Sequence, residues 1–423
     1  MVPCDWTDGH VGDLLKGLES GVSVNGEDRA VGPNDKAVLK VSAVSYGCFN
    51  PLAAKVVEGD ELFKAKTNPK NGQIIISRSN TEDLVGASAY IDEDYPNLFL
   101  PDKLWQTIPK KDADMKWLSY FLASAHARYT LSNLATGTSG SMKNITKGEL
   151  LSLKVQIPPL PEQRKIAQIL STWDEVIATT ERLIANSQQQ RKALMQQLLT
   201  GKKRFGMAAE EIEYQKTRYG LIPVDWDYPS IGQVCTQVSR KNTEQADYPV
   251  LSCSKHDGFV DSLRYFKKKV YSDDTSGYRV IPYGCFGFPS NHIEEGSIGL
   301  QELYDFGIVS PIYVVFQPDE SKVNRKFLLA LLKTEHYRQI FAASTNASVD
   351  RRGSLRWKEF CAIHVPLPSL PEQNKIADAL SAADKEIDGF KQQLVHFKQE
   401  KQALMQQLLT GKRRVKVDDK EVA

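Results

Sequence analysis

The sequence lacks the features that mark several large classes of protein. Its six cysteines are scattered, with no C-x-x-C pair and no histidine at zinc-ligand spacing. No stretch approaches the roughly 18 consecutive apolar residues that a membrane-spanning helix needs, and no apolar run follows a basic start. We therefore expect a reduced, cytoplasmic protein that holds no structural metal and does not enter a membrane.

An excess of charge of one sign is also missing. The 423 residues carry 54 Lys and Arg against 52 Asp and Glu, which gives a formal net charge of +2. This balance argues against a protein that coats nucleic acid by bulk electrostatic attraction. The distribution is less even, because residues 103–154 contain eight Lys or Arg and three Asp or Glu. The sequence therefore allows a local basic face on a nearly neutral protein.

The usual catalytic signatures are absent as well. There is no glycine-rich loop that ends in Gly-Lys-Ser/Thr, no strand-linked G-x-G-x-x-G and no H-E-x-x-H. The seven histidines stand apart from one another, and none accompanies a nucleophile motif. We expect this chain to contain no catalytic residue.

One pattern favours an alternative function. Asp102, Asp114 and Lys116 match a short motif of Mg²⁺-dependent nucleases, in which carboxylates hold the metal and a lysine lies near the attacking water. The chain contains a second copy of this region, described below, in which Ile312 and Asn324 stand in place of the two carboxylates. The residues that both copies share are therefore interpreted as structural.

What the sequence does contain is one long segment that occurs twice. Residues 160–202 and 370–412 both start with Leu-Pro-Glu-Gln and end with Ala-Leu-Met-Gln-Gln-Leu-Leu-Thr-Gly-Lys, each position following its twin by 210 residues. Proline and glutamate suit the first turn of a helix, and Gly201 and Gly411 supply a left-handed stop. Each copy is predicted to be a single long helix.

Apolar residues inside both helices recur at about 3.5 residues, which is the seam of a coiled coil. A helix of forty residues is about 60 Å long, too long to bury its seam in one ordinary globular core. We expect the two copies to pair with each other as an antiparallel intramolecular coiled coil; a homo-oligomeric coiled coil is the alternative. The predicted seam consists of Ile166, Leu170, Trp173, Ile177, Ile184, Leu194, Ile376, Leu380, Ile387, Phe390, Leu394, Phe397 and Leu404.

The repeat also includes the regions that precede the helices. Asp5 and Trp6 return 220 residues later as Asp225 and Trp226, whereas the spacing from Pro101 onward is 210, so the first copy carries ten extra residues in between. Residues 73–77 and 308–316 have the composition of strands, 117–131 and 326–341 have helical periodicity, and 68–72 and 284–291 are typical of loops.

We therefore predict an α+β fold in which two pseudo-repeated globular domains are separated by two long helices. The predicted globular domains are residues 1–156 and 222–366, and the helices occupy 157–201 and 367–411. A connector covers residues 202–221, and a charged tail covers 412–423, which we expect to fray.

Polar segments lie at corresponding places in the two globular domains, at residues 136–144 and 344–354. Small hydroxyl and amide side chains with one or two cations can bond phosphate oxygens or base edges. A solvated connector has a similar composition, and with the recurrence of the segment the two interpretations stand about equal.

The doubled motif resembles the specificity subunits of Type I restriction-modification enzymes, and the resemblance extends over essentially the whole chain. It rests on two entry sequences, each followed by a long helix that ends in Leu-Leu-Thr-Gly: Ile157-Pro158-Pro159-Leu160-Pro161-Glu162-Gln163 and Leu367-Pro368-Ser369-Leu370-Pro371-Glu372-Gln373. The resemblance implies that each globular domain is a target recognition domain that reads one half of a bipartite site in double-stranded DNA. Because the two domains diverge in sequence, the site should be asymmetric.

The resemblance also implies partners and a division of labour. The helices would set the gap between the half-sites and dock two methyltransferase subunits, and restriction and translocation subunits would join through the complex. S-adenosylmethionine, ATP and Mg²⁺ would act in those partners, so this chain itself is expected to hold no cofactor. Alternatives are a specificity subunit that serves a fused restriction and methylation enzyme, and an adaptor whose domains bind proteins.

Candidate DNA-facing residues follow from residue type and loop placement. In the first copy they are Arg78, Lys110, Lys111, Thr138, Ser139, Ser141, Lys143 and Asn144. In the second copy they are Arg240, Lys241, Lys255, Lys267, Lys268, Lys269, Asn346, Ser348, Arg351 and Arg352.

Overall fold

The computed structural model describes residues 3, 5–137, 142–255, 257–348 and 351–417. The chain divides into two compact units: unit 1 is Met1–Arg182 with Gln392–Ala423, and unit 2 is Leu183–Lys391. Each unit therefore combines a globular α+β body with one part of each long helix.

Unit 1 is built from short strands and a few helices. Its helices are α1 (Asp60–Lys64), α2 (Met115–Ala123), α3 (Ala125–Leu134), α4 (Lys147–Leu151), the first part of α5 (Leu160–Leu199) and the second part of α11 (Leu370–Leu408), with 3-10 turns at Val11–Leu14 and Val41–Ala43. Its strands are β1 (Thr7–His10), β2 (Leu15–Ser20), β3 (Ala37–Leu39), β4 (Val44–Ser45), β5 (Cys48–Phe49), β6 (Ala54–Val56), β7 (Gln73–Ser77), β8 (Ser79–Asn80), β9 (Ser88–Ile91), β10 (Leu98–Phe99), β11 (Leu104–Pro109), β12 (Lys143–Asn144) and β13 (Lys154–Ile157).

The main sheet of unit 1 is antiparallel, in the order β2-β11-β7-β9. Its apolar face, with Ile74 and Ile76 fully buried, packs in one core with Trp117 of α2. Ile166 and Leu170 from the start of α5 are buried in the same core. The beginning of the long helix is therefore fixed to the globular body by apolar burial.

Unit 2 repeats this plan. Its helices are the second part of α5, α6 (Ile231–Val234), α7 (Ser262–Phe266), α8 (Arg325–Leu332), α9 (Glu335–Ser344), α10 (Trp357–Phe360) and the first part of α11 (Leu370–Leu408), with 3-10 turns at Ala209–Glu211 and Ile293–Glu295. Its strands are β14 (Tyr214–Thr217), β15 (Gly220–Pro223), β16 (Cys235–Gln237), β17 (Leu251–Ser254), β18 (Gly258–Asp261), β19 (Arg279–Pro282), β20 (Phe286–Pro289), β21 (Gly299–Leu300), β22 (Phe306–Val309), β23 (Tyr313–Pro318), β24 (Asn346–Ser348) and β25 (Arg351–Ser354).

The main sheet of unit 2 has the order β16-β23-β20-β21. Each of these strands is the counterpart, in the second copy of the repeat, of the strand at the same place in the main sheet of unit 1. The core is more aromatic, because Phe286, Phe316 and Phe360 are buried together. Ile376 and Leu380 from the start of α11 close this core as Ile166 and Leu170 close the other. The predicted pseudo-repeat of two α+β bodies is confirmed.

The long helices form the predicted antiparallel coiled coil, and each unit shows part of it. In unit 1 the rings of Trp173 and Phe397 meet edge to face at 5.9 Å. Glu181 of α5 pairs with Lys398 of α11 at 2.7 Å. In unit 2 the Nη2 of Arg191 donates to Asp384 at 2.9 Å.

All predicted seam residues are at least half-buried. The buried ones are Ile166, Leu170, Ile376, Leu380 and Ile387, and the half-buried ones are Trp173, Ile177, Ile184, Leu194, Phe390, Leu394, Phe397 and Leu404. The first two in each helix belong to the globular cores, where they pack against the bodies.

Each long helix starts at a polar junction in which one arginine holds two carboxylates. In unit 2 the guanidinium of Arg204 donates to Glu372 at 2.8 and 2.7 Å and to Asp225 at 2.7 and 2.8 Å. In unit 1 Arg414 bonds its counterparts, Glu162 and Asp5, in the same forked geometry. The junction joins the Asp-Trp opening, the Leu-Pro-Glu-Gln start of one helix and the segment that follows the end of the other.

The glutamine of the Leu-Pro-Glu-Gln motif makes a second tie. Gln163 is buried, accepts a hydrogen bond from the backbone N–H of Asp114 at 2.9 Å and donates to the carbonyl of Pro158. Gln373 does the same with Asn324 and Pro368. Since a buried amide must find partners, these bonds fix the angle at which each helix leaves its unit.

Two predicted helices are each broken into a pair. The helix expected at 117–131 is α2 and α3, and that at 326–341 is α8 and α9. Ser124 and Thr334 stand at the breaks with extended backbones, and their hydroxyls accept from Ala127 N and Tyr337 N as amino-terminal caps. The apolar periodicity continues across each break, which is why the sequence predicted a single helix.

Some strand and loop predictions were also wrong. Residues 284–291 were expected to be a loop, but they contain β20, with Phe286 and Phe288 buried. A side chain at Gly287 would lie 2.9 Å from the ring of Phe259, so the glycine serves packing and not a turn. The strand expected at 308–316 is two strands separated around Pro311, which has no N–H for a ladder.

The carboxy-terminal tail is packed against unit 1 beyond the end of α11, where fraying was expected. Arg414 is fixed by the junction, and Val415 packs against the core of unit 1. The predicted fraying is therefore wrong for Arg414 and Val415, and residues 418–423 lie outside the described ranges.

We predict that Arg204→Ala lowers the free energy of unfolding by about 3 kcal/mol, because Glu372 is left as a mostly buried, unpaired carboxylate. The Arg204 side chain is 9% exposed. Lys398→Ala, which removes a half-exposed pair with Glu181, should cost less than about 1 kcal/mol. Urea unfolding followed by circular dichroism measures both.

Arg204 also lowers the pKa of the Asp225 carboxyl, chiefly through the hydrogen bonds that it donates. Because its pKa is lowered in the folded state, the ionised Asp225 carboxylate stabilises the fold at pH values above its ordinary pKa of 3.8. This stabilisation is lost as the pH falls through the folded-state pKa. The difference between wild type and Arg204→Ala should therefore shrink in acid. Equal costs for the two substitutions at neutral pH would contradict the junction's role.

We predict that Asp114→Asn leaves stability within about 0.5 kcal/mol, whereas Asp114→Ala costs about 1 kcal/mol. The Asp114 carboxylate caps α2 by accepting from Trp117 N at 2.8 Å, and Asn324 caps α8 in the same way in unit 2. Thermal unfolding of the two variants tests this prediction. A Mg²⁺-dependent DNA cleavage that disappears in Asp114→Asn would support the nuclease alternative instead.

Candidate nucleic-acid interface

Three of the predicted DNA-facing residues meet at a small ribbon in unit 1. Strand β12 pairs antiparallel with β8, which places Lys143 opposite Asn80 and Asn144 opposite Ser79. Arg78 directly precedes β8, and its carbonyl accepts from Ile145 N at 2.9 Å. The structure thus joins positions that are more than sixty residues apart in sequence.

The Arg78 side chain is partly committed to the fold. Its Nε donates to the carbonyl of Asp102 at 2.9 Å, and its guanidinium lies 3.5 Å from the Asp102 carboxylate. Lys143 is half-buried and Asn144 is exposed. Of the three residues, Asn144 presents its side chain most openly.

Lys110 and Lys111 lie elsewhere. The backbone N–H of Arg78 donates to the carbonyl of Lys103, just before the start of β11. Lys110 follows the other end of β11, which at about 3.3 Å per residue lies about 20 Å away. The ammonium group of Lys110 donates to the carbonyl of Asp13 at 2.9 Å. These two lysines therefore do not join the Arg78 group.

The corresponding ribbon in unit 2 is a hairpin. Strands β24 and β25 pair antiparallel, with Asn346 opposite Ser354 and Ser348 opposite Arg351. Four predicted residues lie on it: Asn346, Ser348, Arg351 and Arg352. The predicted Thr138, Ser139 and Ser141 of unit 1 lie outside the described residues.

Arg240 and Lys241 lie beside a second small sheet of unit 2. The backbone of Lys241 forms an isolated antiparallel β-bridge with that of Arg279, at the start of β19. Strand β19 pairs with β22, and the guanidinium of Arg240 lies 5.8 Å from the ring of Phe306 on β22. Both predicted residues are exposed. Arg279, which sequence reasoning missed, adds a third cation here, although its Nε donates to the carbonyl of Pro311.

The remaining predicted lysines of unit 2 flank the β17–β18 hairpin. Lys255 lies in its turn, and Lys267, Lys268 and Lys269 follow α7 at the other end. All four are exposed. Asp273 bonds Lys269 and raises the pKa of that ammonium, so the lysine is firmly cationic.

A further pair of sites was missed by sequence reasoning. In unit 1 a pocket of about 720 Å³ lies between the end of α11 and the α2–α3 corner, and in unit 2 a pocket of about 840 Å³ lies between the end of α5 and the α8–α9 corner. We call them the unit 1 pocket and the unit 2 pocket. At the 210-residue spacing they share part of their lining: Met405 and Met195, Gln406 and Gln196, Leu409 and Leu199, Thr410 and Thr200, His126 and His336.

The nuclease motif is not assembled as a site. Asp114 caps α2, Asp102 lies beside Arg78, and the ammonium of Lys116 lies 4.3 Å from the ring centre of Tyr90. Each of the three groups thus has a separate structural contact. The arrangement supports binding of a polyanion by cations and amides on ribbons.

The thiols of the described cysteines are unpaired, and burial raises the pKa of Cys285 to about 11. No helix in the described ranges has the length and apolar character needed to cross a lipid bilayer.

Comparisons with known proteins agree with this architecture. The profile of the Type I restriction modification DNA specificity domain matches residues 3–186 and 223–395. The chain is 27% identical over 430 residues to the Type I restriction enzyme MjaVIII specificity subunit of Methanocaldococcus jannaschii, covering 98% of this chain and 94% of that protein.

Solved structures share the fold. The Type-I restriction-modification S subunit from M. genitalium superposes with a TM-score of 0.56 at 17% identity, covering 96% of both chains. The HsdS subunit from Thermoanaerobacter tengcongensis gives a TM-score of 0.53 at 17% identity, covering 97% of this chain and 98% of the other. Since the family profile matches both repeats, the chain belongs to the Type I restriction modification DNA specificity family.

Proposed function

We propose that this chain is the DNA-reading subunit of a Type I restriction-modification complex. The observation that carries the proposal is the exact doubling of the scaffold, with one sheet order, one Arg–Glu–Asp junction and one helix start in each unit, combined with ribbons that differ. A shared scaffold with unlike reading surfaces suits the recognition of two unlike half-sites. The reader domains remain those predicted at residues 1–156 and 222–366.

The reading surfaces of the proposal are the β8–β12 ribbon of unit 1 and the β24–β25 hairpin of unit 2. Two-stranded ribbons fit the major groove, where amides and cations bond base edges. Asn144 is an exposed amide on the first ribbon, and Asn346 lies on the second. The paired helices would fix the gap between the half-sites.

The chemistry belongs to partners in this proposal. Methyl transfer from S-adenosylmethionine to adenine, and ATP- and Mg²⁺-dependent translocation and cleavage, take place in other subunits in the cytoplasm. The two corresponding pockets support docking of two methyltransferase subunits, one per unit, because identical lining residues recur where the helix ends meet the globular bodies. A fused restriction and methylation enzyme as the partner would use the same pockets.

We predict that Asn144→Ala relaxes one base position in one half-site and leaves the other half-site unchanged, because a lost base contact affects only its own position. Lys143→Ala should weaken binding to all sequences alike and reduce the salt slope by about 0.9, the loss of one phosphate contact. Selection of bound duplexes from a randomised library by the assembled complex measures both. Lys398→Ala on α11 is the control.

An unchanged sequence preference in Asn144→Ala, together with an unchanged salt slope in Lys143→Ala, would remove the β8–β12 ribbon from the reading surface.

We predict that His126→Glu and His336→Glu each remove one of two bound methyltransferase subunits, and that the double variant removes both. Both histidines are exposed in their pockets, so the charge is tolerated in the free chain and becomes costly when a partner covers it. Native mass spectrometry of the co-expressed complex counts the subunits. Retention of two methyltransferases by the double variant would place docking elsewhere.

A further inference from the structure

The segment that includes and follows α7 exposes apolar side chains to an unusual degree. All eight residues from 263 to 270 are exposed. Four of them are apolar or aromatic: Leu263, Tyr265, Phe266 and Val270. A contiguous exposed patch of this kind marks an interaction surface, since single scattered apolar residues are the rule on proteins. We call residues 263–270 the α7 tip.

The other four residues of the tip are cations. They are Arg264, Lys267, Lys268 and Lys269, and the tip contains no acidic residue. Lys269 pairs with Asp273, the one ion pair made by these four cations within the described ranges. Lysine is depleted from the cores of protein interfaces, whereas a run of cations is the electrostatic complement of a phosphate backbone.

The base of the tip is fixed while its end projects. Ser262 is fully buried, and its Oγ lies 2.8 Å from the Oγ of Ser252. Asp261 caps α7 by accepting from Arg264 N at 3.0 Å, and it also accepts from the Tyr304 hydroxyl at 3.1 Å.

The end of the tip is shaped by Lys267, whose left-handed backbone, with φ of 53°, ends the helix directly after Phe266. The rings of Tyr265 and Phe266 meet at 5.1 Å and nearly at right angles. The tip therefore presents an aromatic pair on a fixed support, with exposed cations directly after it in the chain.

Unit 1 carries a smaller feature at the same topological place. Strand β6 pairs antiparallel with β3, which pairs in parallel with β10, and α1 follows β6. In unit 2 β18 corresponds to β6 and pairs antiparallel with β17, and α7 follows β18 as α1 follows β6. Val250, directly before β17, forms a parallel β-bridge with Ile308 of β22, as β3 pairs in parallel with β10. Helix α1 exposes Phe63 at 85%, with Lys64 and Lys66 close behind. An exposed phenylalanine followed by lysines thus recurs in both units.

We propose that the α7 tip is a DNA wedge, in which Phe266 inserts at a base step of the half-site read by unit 2 and Lys267 and Lys268 hold the flanking phosphates. This inference rests on the proposed DNA-reading function and adds a residue that deforms the duplex to the ribbons that contact it. Apolar wedges that partly unstack a base step kink the duplex and make binding depend on how easily that step deforms. In unit 1 Phe63 would insert at a base step in the same way but more weakly, because Lys64 forms an ion pair with Glu61 and is less free to hold a phosphate.

The experiment uses the full chain assembled with its methyltransferase and a duplex that carries the methylated motif of the complex. The adenine analogue 2-aminopurine, which brightens when it is unstacked, is placed in turn at each step of both half-sites. The variants are Phe266→Ala, Phe266→Trp and the double variant Lys267→Ala with Lys268→Ala. Leu303→Ala, at a residue 50% exposed in a loop of the same unit, is the control for losing an exposed apolar group.

Apart from the target adenine of each half-site, which the methyltransferase itself flips out of the stack, the expected result is brightening at one step of one half-site with wild type, its loss with Phe266→Ala and its retention with Phe266→Trp and Leu303→Ala. Phe266→Ala should weaken binding to the motif about tenfold, as loss of one base-stacking contact does. The double lysine variant should reduce the salt slope by about two, one for each phosphate released.

Three outcomes would overturn the wedge. Selective binding of the motif by wild type with no brightening outside the target adenines, or with brightening there that Phe266→Ala leaves unchanged, refutes the wedge while the DNA-reading function stands. Loss of the methyltransferase from Phe266→Ala, with DNA binding unaltered, makes the tip a protein contact. Failure of the wild-type complex to prefer the motif refutes the DNA-reading function itself.

Discussion

The structure depends on the arginine that joins two carboxylates where each long helix begins. Arg204 and Arg414 each bond a glutamate of the Leu-Pro-Glu-Gln motif and an aspartate of the Asp-Trp opening. Three distant segments are thereby fixed at one point within each unit. Because the bonds are charge-assisted and forked, they set orientation as well as proximity. The buried glutamine next to each glutamate then fixes the helix start against a capped helix of the globular body.

This arrangement explains how the scaffold stays constant while the proposed reading surfaces differ. The junction, the glutamine tie and the apolar helix starts use few residues, and all recur at the 210- or 220-residue spacing. The ribbons, the β17–β18 hairpin and the α7 tip lie away from these residues. Substitutions there leave the junction intact, so a half-site preference can change without loss of the paired helices.

The sequence predicted the long helices and their pairing, because a heptad pattern that repeats at fixed length has one simple solution. It did not predict the breaks at Ser124 and Thr334, since a cap interrupts the backbone but not the apolar periodicity. It also missed β20, where Gly287, one of the residues that suggested a loop, instead makes room for Phe259. The junction had a signal, as a cluster of Lys and Arg follows Gly201 and Gly411 alike, but its partners are up to 409 residues away in sequence.

Candidate site residues were predicted less completely than the fold. Residue type and loop placement gave Arg78, Lys143 and Asn144 as separate candidates, and only the folded chain brings them together at one ribbon. The same reasoning added Lys110, whose ammonium bonds a backbone carbonyl at the other end of β11. The two pockets were missed because their linings combine a helix end with a helix corner, which only the folded chain brings together.

The most direct test of the account is a genome-wide map of N6-methyladenine in cells that express this chain with its methyltransferase. Two unlike readers joined by paired helices predict a single asymmetric motif, split into two parts by a gap of fixed length. A continuous motif, a gap of varying length or an assembled complex that binds S-adenosylmethionine without methylating DNA would contradict it.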